Sequence, residues 1–304
     1  MERLRIGLIG WGTVGSALGA LVRSGPLPLT LQCVAVRDRE RAGLPEGVEI
    51  GSAELALEAD IVVELAGGVD VPLTWARLAL DAGKPYVTAN KALLATHGGE
   101  LARLADRRVA ALLGSASVGG GTPMIEAVTH LAATGAIERI RGIVNATTTY
   151  ILSAMGEGRS YDEALREAQE QGFAEADPSF DVGGRDAAQN LAILASVALG
   201  TWRPETEVDT TGIVGVNVAA GETVRLVAEA TKQGMSVKPM PLDRADPLAR
   251  AAGIENVLEI TVADAAVFRV SGPGAGGHVT AGAVYADLAR LVGGERPILF
   301  GQRS

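Results

Sequence analysis

The sequence predicts an α/β protein: a doubly wound parallel sheet with a second domain of α+β character. Three observations carry this. Short apolar runs alternate with helix-length amphipathic segments up to residue 134, and a GxGxxG spacing stands between the first run and the first such segment. Past residue 135 the alternation stops, and strands and helices follow in another order. With 304 residues, 47% of them hydrophobic, the chain can bury two cores. The expected domains are 1–134, completed by about 275–304, and 135–274.

In chain order, "LRIGLIG", "LQCVAVR", "DIVVELAG", "KPYVTAN" and "VAALLGSAS" read as strands. Between them "VGSALGALVRS", "VPLTWARLALDAG" and "GGELARLADRR" repeat apolar residues three to four apart, the helical period. Such β-α alternation builds a parallel sheet with helices on both faces. "IERIRGIVNATTTYIL" is a strand running into a helix, and further helices are expected over 160–171 and 184–200. After a run of mixed character comes the strand-like "LEITVADAAVFRVSG". The last helical stretch, "GHVTAGAVYADLARLV", follows "GPGAGG" and is expected to return to the first domain.

Composition excludes several function classes. No apolar run approaches the roughly 18 residues of a membrane span, and "MERLRIGLIG" enters a strand without signal-peptide architecture, so a cytoplasmic, membrane-free protein is expected. A net charge of −9 without a basic stretch argues against nucleic acid as a partner. The single cysteine, Cys33, lies inside "LQCVAV" and reads as a buried structural thiol. His97, His130 and His278 lack metal-ligand spacing. Neither a GxSxG elbow nor a GxxxxGK[ST] loop occurs, which removes the ordinary hydrolase and P-loop readings.

In "IGLIGWGTVGSALGALV" the fingerprint lies between strand and helix, the context that a Rossmann dinucleotide site requires. Gly10 permits the tight turn, Gly12 admits the pyrophosphate to the backbone and Gly15 allows close helix packing, with Thr13 and Val14 at the helix start that faces the anion. At the end of the second strand, where an NAD enzyme usually places an acid for the ribose 2′-hydroxyl, the chain reads "VAVRDRER". A guanidinium from Arg37, with Arg39 behind it, can pair with a 2′-phosphate; Asp38 serves NAD if the register moves by one. NADP(H) is therefore favoured over NAD(H). The alternative is a solvated arginine loop.

Lys91, in "YVTANKALLA", sits with Thr88 just past a strand's C-terminal end, where open α/β sheets place ligands. An ammonium beside a nicotinamide can orient a substrate and protonate an oxygen that gains charge as hydride arrives. The other reading is a surface lysine at a helix start. In "GFAEADPSFDVGGRDAAQNLAILA", Asp186 and Asn190 are i, i+4 on one helical face, and Glu175, Asp177 and Asp181 precede them from a loop. Carboxylates facing one cavity suit a small-molecule substrate carrying an ammonium group. The blander alternatives are turn formation by Asp177 and Asp181, and a helix-terminal charge at Asp186.

"GWGTVG", "TANKALLA", "SVGGGTPMI", "NATTTYILSAM", the acidic block and "GPGAGGHVTAGAVYADL" occur in the order and spacing of homoserine dehydrogenases, which the chain resembles over nearly all its length. The resemblance implies a Rossmann domain, an α+β substrate and dimerisation domain, a homodimer, and reversible NAD(P)H-dependent reduction of L-aspartate 4-semialdehyde to L-homoserine. It implies roles for Lys91 near the nicotinamide and substrate, for Glu175 on the amino group, for Asp181 and Asp186 at the substrate, and for Gly172, Gly274 and Gly276 near the cofactor. It also implies a sodium ion on the carbonyls of Val118, Gly120 and Thr122 plus a glutamate. The chain stops soon after the "GPGAG" helix, so the regulatory ACT domain of many members is expected to be absent.

Three motifs depart from the family pattern, at four positions. Asn190 replaces the lysine of DxxxK, the presumed proton donor, and a neutral amide cannot give up a proton at pH 7. Ala146 and Thr149 replace Gly and Asn, and Ser115 replaces the sodium-site glutamate. The leading expectation is that Lys91 supplies the proton while Asn190 orients the carbonyl. A dehydrogenase for another amino-aldehyde or keto acid, and a non-catalytic NADP-binding homologue, are the alternatives.

Overall fold

The computed structural model describes residues 3–38, 43–263, 267–274 and 276–301. They form two compact units: 1–121 with 200–202 and 276–304, and 122–199 with 203–275. The first begins with β1 (Leu4–Ile9), α1 (Thr13–Ser24), β2 (Leu29–Ala35), β3 (Glu49–Gly51), α2 (Ala53–Ala56), β4 (Ile61–Glu64) and α3 (Asp70–Asp81). It continues through β5 (Tyr86–Thr88), α4 (Lys91–Arg108) and β6 (Leu112–Leu113). The sheet is parallel throughout, in the order β3-β2-β1-β4-β5-β6, with helices α1, α2, α3 and α4 in the connections that follow β1, β3, β4 and β5.

Parallel strands covered on both faces have no solvent side, which is why "IGLI" and "IVVE" are buried at every position. Cys33 is buried in β2, as its apolar run predicts, and burial pushes its thiol up to about 11, keeping it protonated and inert. Two expectations need correction. The strand read over "VAALLGSAS" is only Leu112–Leu113, followed by a 3-10 turn at Ser115–Ser117. The helix read from "GGELARLADRR" starts two turns earlier, at Lys91, because Asn90 caps it: Oδ1 accepts from the Leu93 amide at 3.1 Å.

The second unit contains α5 (Met124–Thr134), β7 (Ile137–Ile143), α6 (Ala146–Gly156), α7 (Tyr161–Glu170), α8 (Ser179–Val182) and α9 (Arg185–Leu199). Then come β8 (Val208–Thr210), β9 (Val224–Thr231), β10 (Gly234–Pro241), β11 (Glu255–Val262) and β12 (Val267–Pro273). Its sheet, ordered β12-β11-β7-β9-β10-β8, is antiparallel except at β10 and β8. The unit starts at Thr122 rather than 135, because α5 buries Met124, Ile125, Val128 and Leu131 on one stripe against α9 and β11. The mixed run resolves into β8, β9 and β10, the last two a hairpin. On β7, Ile140 is buried while Arg139 and Arg141 reach Glu229 and Glu259 of neighbouring strands.

The chain re-enters the first unit with α10 (Gly277–Val292), as its apolar period predicts, and Ala281, Val284, Leu288 and Leu291 join the core around β1 and α1. Ile298 then bridges Leu112 in parallel at the sheet edge. No helix among the described residues is long and apolar enough to cross a membrane.

Candidate active site

In the first unit the order β2-β1-β4 puts the topological switch at the C-terminal ends of β1 and β4, where open sheets bind ligands. A cavity of about 730 Å³ lies there, lined by Gly10, Arg37, Ser52, Gly67 and Trp75 among others. The three fingerprint glycines have separate physical reasons. Gly10 has φ 103°, and a Cβ would press to 2.8 Å from the Leu65 carbonyl. At Gly15 a Cβ would overlap the Gly10 carbonyl, so only glycine lets α1 seat this close to the turn. At Gly12, the N-cap of α1, a Cβ would meet nothing within 4 Å, and no side chain caps the helix. An uncapped helix start beside open space fits a pyrophosphate.

A second cavity of about 260 Å³ is lined by Val14, Gly67, Ala89, Asn90 and Thr280, so Gly67 borders both. The start of α10 comes close by: Gly276 is its N-cap, and a Cβ on Gly277 would overlap the Thr13 side chain. Arg37 is exposed and lines the larger cavity, while Arg39 lies outside the described residues. Lys91 is half-buried as the first residue of α4.

Thr88, expected at the cofactor, commits its side chain to the protein. It is fully buried; its hydroxyl donates to Glu64 Oε2 at 2.7 Å and accepts from the Asn90 amide at 2.9 Å. Glu64, also fully buried, accepts from the Ala66 and Gly67 amides on Oε1 at 2.7 and 2.9 Å. Asn90 Nδ2 donates to the Gly68 carbonyl at 2.7 Å. The loops after β4 and β5 are thus tied through one carboxylate.

In the second unit, Asn145 caps α6 with Oδ1, which accepts from the Thr148 amide at 2.8 Å, and its Nδ2 bridges two carboxylates. Nδ2 lies 2.8 Å from Asp181 Oδ1 and 2.9 Å from Asp186 Oδ2. The Thr147 hydroxyl lies 2.8 Å from the Phe173 carbonyl and 3.1 Å from Asp181 Oδ2. Asp181, on α8, and Asp186, in the first turn of α9, are both half-buried. Asn145 and Thr147 are the site residues that residue-by-residue sequence reasoning missed. Their signal was an asparagine between an apolar strand and a helix in "IVNATTTYIL", a capping pattern.

Asn190 is buried and spends both amide hydrogens on the protein, at 2.9 Å to the Val144 carbonyl and 3.1 Å to Asp186 Oδ2. Reversing the amide would set its oxygen against two acceptors, which fixes this orientation. The expectation that Asn190 orients the substrate carbonyl is therefore corrected: both its hydrogens are committed within the protein, one of them to Asp186, and its Oδ1 is buried without a partner among the described residues. Thr149 is buried and back-bonds to the Asn145 carbonyl at 2.8 Å.

Glu175 is exposed in the turn after α7; its carbonyl accepts from Gln169, and its carboxylate has no hydrogen bond among the described residues. Asp177 makes the turn that the bland reading proposed: its carboxylate accepts from the Ser179 amide at 3.1 Å, and the Ser179 hydroxyl and amide hold its carboxyl below the usual range. Gly172 is exposed with open space around its α-carbon, whereas a Cβ on Gly274 would press to 2.6 Å from Asn256. Ser115 donates both its hydroxyl and its amide to the buried Asp287, at 2.7 and 3.0 Å. Val118 and Thr122 are buried, and Gly120 lies in the turn between them.

Two family models match the chain: "Homoserine dehydrogenase" over residues 123–289 and "Homoserine dehydrogenase, NAD binding domain" over residues 10–113. The chain is 37% identical to a homoserine dehydrogenase of Corynebacterium glutamicum over 98% of its own length and 73% of the relative's. It is 33% identical to one of Bacillus subtilis, over 96% and 73% respectively. Among solved structures, a homoserine dehydrogenase from Thiobacillus denitrificans superposes with a TM-score of 0.89 at 31% identity, covering 96% of this chain and 74% of that one. A hyperthermophilic archaeal homoserine dehydrogenase in complex with NADPH superposes at 0.87 and 30% identity, covering 98% and 100%.

Proposed function

The chain belongs to the homoserine dehydrogenase family, and from that premise we propose how its residues carry out the reversible NAD(P)H-dependent reduction of L-aspartate 4-semialdehyde to L-homoserine. The cofactor, when bound, supplies the hydride. Gly12 and the amides at the start of α1 receive its pyrophosphate, and Gly10 and Gly15 hold that start close to β1. NADP(H) is the preferred form: Arg37, on the larger cavity, has the charge and planar fork that suit a 2′-phosphate.

Asp181 and Asp186 bind the ammonium of the substrate, with Glu175 as a further anionic contact. The observation that carries this reading is the pinning of both aspartates by one amide, Asn145 Nδ2, which fixes two negative charges side by side. Lys91 donates the proton to the aldehyde oxygen as negative charge builds there. Asn190 takes no part in proton transfer; it sets the rotamer of Asp186.

The sodium site implied by the family pattern fits this chain poorly. Where the family has glutamate, Ser115 is neutral and already gives both donors to Asp287. A cation there would rest on the Val118, Gly120 and Thr122 carbonyls without that anion, and no step here depends on it. A homodimer belongs to the reading, supported by the sheet-edge strand β12 with exposed Val267 and Phe268.

The test is steady-state NADPH oxidation with L-aspartate 4-semialdehyde beside a panel of related aldehydes and keto acids. Turnover fastest on the semialdehyde is expected. Faster turnover of another compound, or tight NADPH binding with no turnover of any, overturns the substrate assignment.

A further inference from the structure

The buried carboxylate of Glu64 does no work in the reaction as described, yet it joins the two loops that carry the first unit's chemistry. Oε1 takes two backbone amides, Ala66 and Gly67, and thereby sets the loop whose Gly67 borders both cavities. Oε2 takes the Thr88 hydroxyl, Thr88 in turn takes the Asn90 amide, and Asn90 caps the helix whose first residue is Lys91. Asn90 closes the circuit on the Gly68 carbonyl. A structural acid needs only to be paired, whereas this one divides its two oxygens between the dinucleotide loop and the lysine loop. The three donors described on it, two backbone amides and a hydroxyl, are all neutral, so their geometry matters to how the carboxylate is held.

Resting on the dehydrogenase reading above, we propose that Glu64 is a positioning residue with two separable outputs: through Oε1 it sets cofactor affinity, and through Oε2, Thr88 and Asn90 it sets the placement of Lys91 and hence turnover. A glutamine satisfies the arrangement only in part. It has one acceptor oxygen: turned toward Thr88 it sets an N–H₂ group against the two backbone amides, and turned toward those amides it takes the acceptor from the Thr88 hydroxyl hydrogen, even when that hydroxyl rotates to accept from the N–H₂ group.

The experiment uses Glu64→Gln, Thr88→Val and Thr88→Ser in the full chain, reading NADPH Kd by fluorescence, kcat on the semialdehyde, and Tm. For E64Q a change of about tenfold in Kd, in kcat or in both is expected, the usual scale for a mispaired buried donor. T88V cuts only the second output, so kcat should fall about tenfold with Kd within twofold of wild type. T88S restores the hydroxyl and should recover most of kcat. If E64Q and T88V lower Tm while leaving Kd and kcat within twofold, Glu64 merely supports the fold and the proposal fails. If E64Q does not fold, the T88V and T88S pair decides: loss of kcat in V without rescue in S also overturns it. If the wild type turns over no semialdehyde, the substrate assignment falls instead, and the E64Q effect on NADPH Kd still decides whether Glu64 positions the cofactor loop.

Discussion

Asn190 holds Asp186 from one helical turn away, Nδ2 to Oδ2 at 3.1 Å, while its second hydrogen goes to the Val144 carbonyl. Where relatives are expected to carry an ammonium, this chain carries a bracket for the aspartate. Asn190→Lys should raise kcat on the semialdehyde by at least about tenfold, since a positioned general acid contributes roughly 10² to 10⁴. A fall in kcat would mean that the pocket has been rebuilt around the amide.

Removing the bridge that pins both aspartates should weaken substrate binding more than turnover. For Asn145→Ala we expect KM for the semialdehyde to rise about tenfold with NADPH Kd unchanged, together with a loss of about 1 kcal/mol from the missing α6 cap. Equal KM in variant and wild type would remove Asn145 from the binding argument.

In the proposed reading, Arg37 is the residue that sets cofactor choice. Arg37→Asp should shift the NADPH to NADH preference by about 10- to 100-fold, the value of one charge-assisted hydrogen bond. An unchanged ratio of kcat/KM for the two cofactors would reject Arg37 as the 2′-phosphate contact.

Two glycines of the turn and helix that follow the first strand should fail differently. Gly12→Ala adds a methyl group with no other described part of the protein within 4 Å and should keep its Tm, yet in the proposed reading that methyl faces the approaching pyrophosphate, so NADPH Kd should rise sharply. Gly15→Ala collides with the Gly10 carbonyl and should lower Tm even without cofactor. Paired melting curves and NADPH titrations distinguish the two.

Arg141 and Asp246 form a largely buried ion pair at 2.6 Å in the second unit. Burial alone would raise the Asp246 carboxyl, but the Arg141 hydrogen bond and the Leu248 amide outweigh it and hold it below the usual range. Its stabilisation is therefore present above the ordinary aspartate pKa and is lost as pH falls through the lower folded value. Asp246→Asn should cost about 1–3 kcal/mol near neutrality and converge with wild type in acid. A destabilisation that stays constant down to the acid limb of urea titrations would contradict this.

The first unit was legible because its physics is local. "IGLIGWGTVG" specifies strand, turn and helix by apolar run and glycine spacing, and the glycines have the steric reasons that the fingerprint supplies. The helix start at Lys91 was legible only as the alternative reading of that lysine, because "ALLATH" shows no sharp helical period and Asn90 alone marks the cap. The inward turn of the Thr88 side chain was illegible for a different reason. Its position at a strand tip was readable, but the acceptor that turns its hydroxyl inward lies 24 residues earlier, at Glu64. Asn190 shows the same limit: sequence revealed that a proton donor was gone, and only the Val144 carbonyl shows where the amide hydrogens went.

One more consequence belongs to synthesis rather than catalysis. The first unit's core takes Ala281, Val284, Leu288 and Leu291 from the far end of the polypeptide, and Ile298 extends its sheet at Leu112. A ribosome therefore releases the glycine turn after β1 early, with part of its apolar backing still untranslated, and the nascent segment must wait for α10 before its core can close. Early exposure of those unfilled surfaces gives chaperones a defined window in which to act.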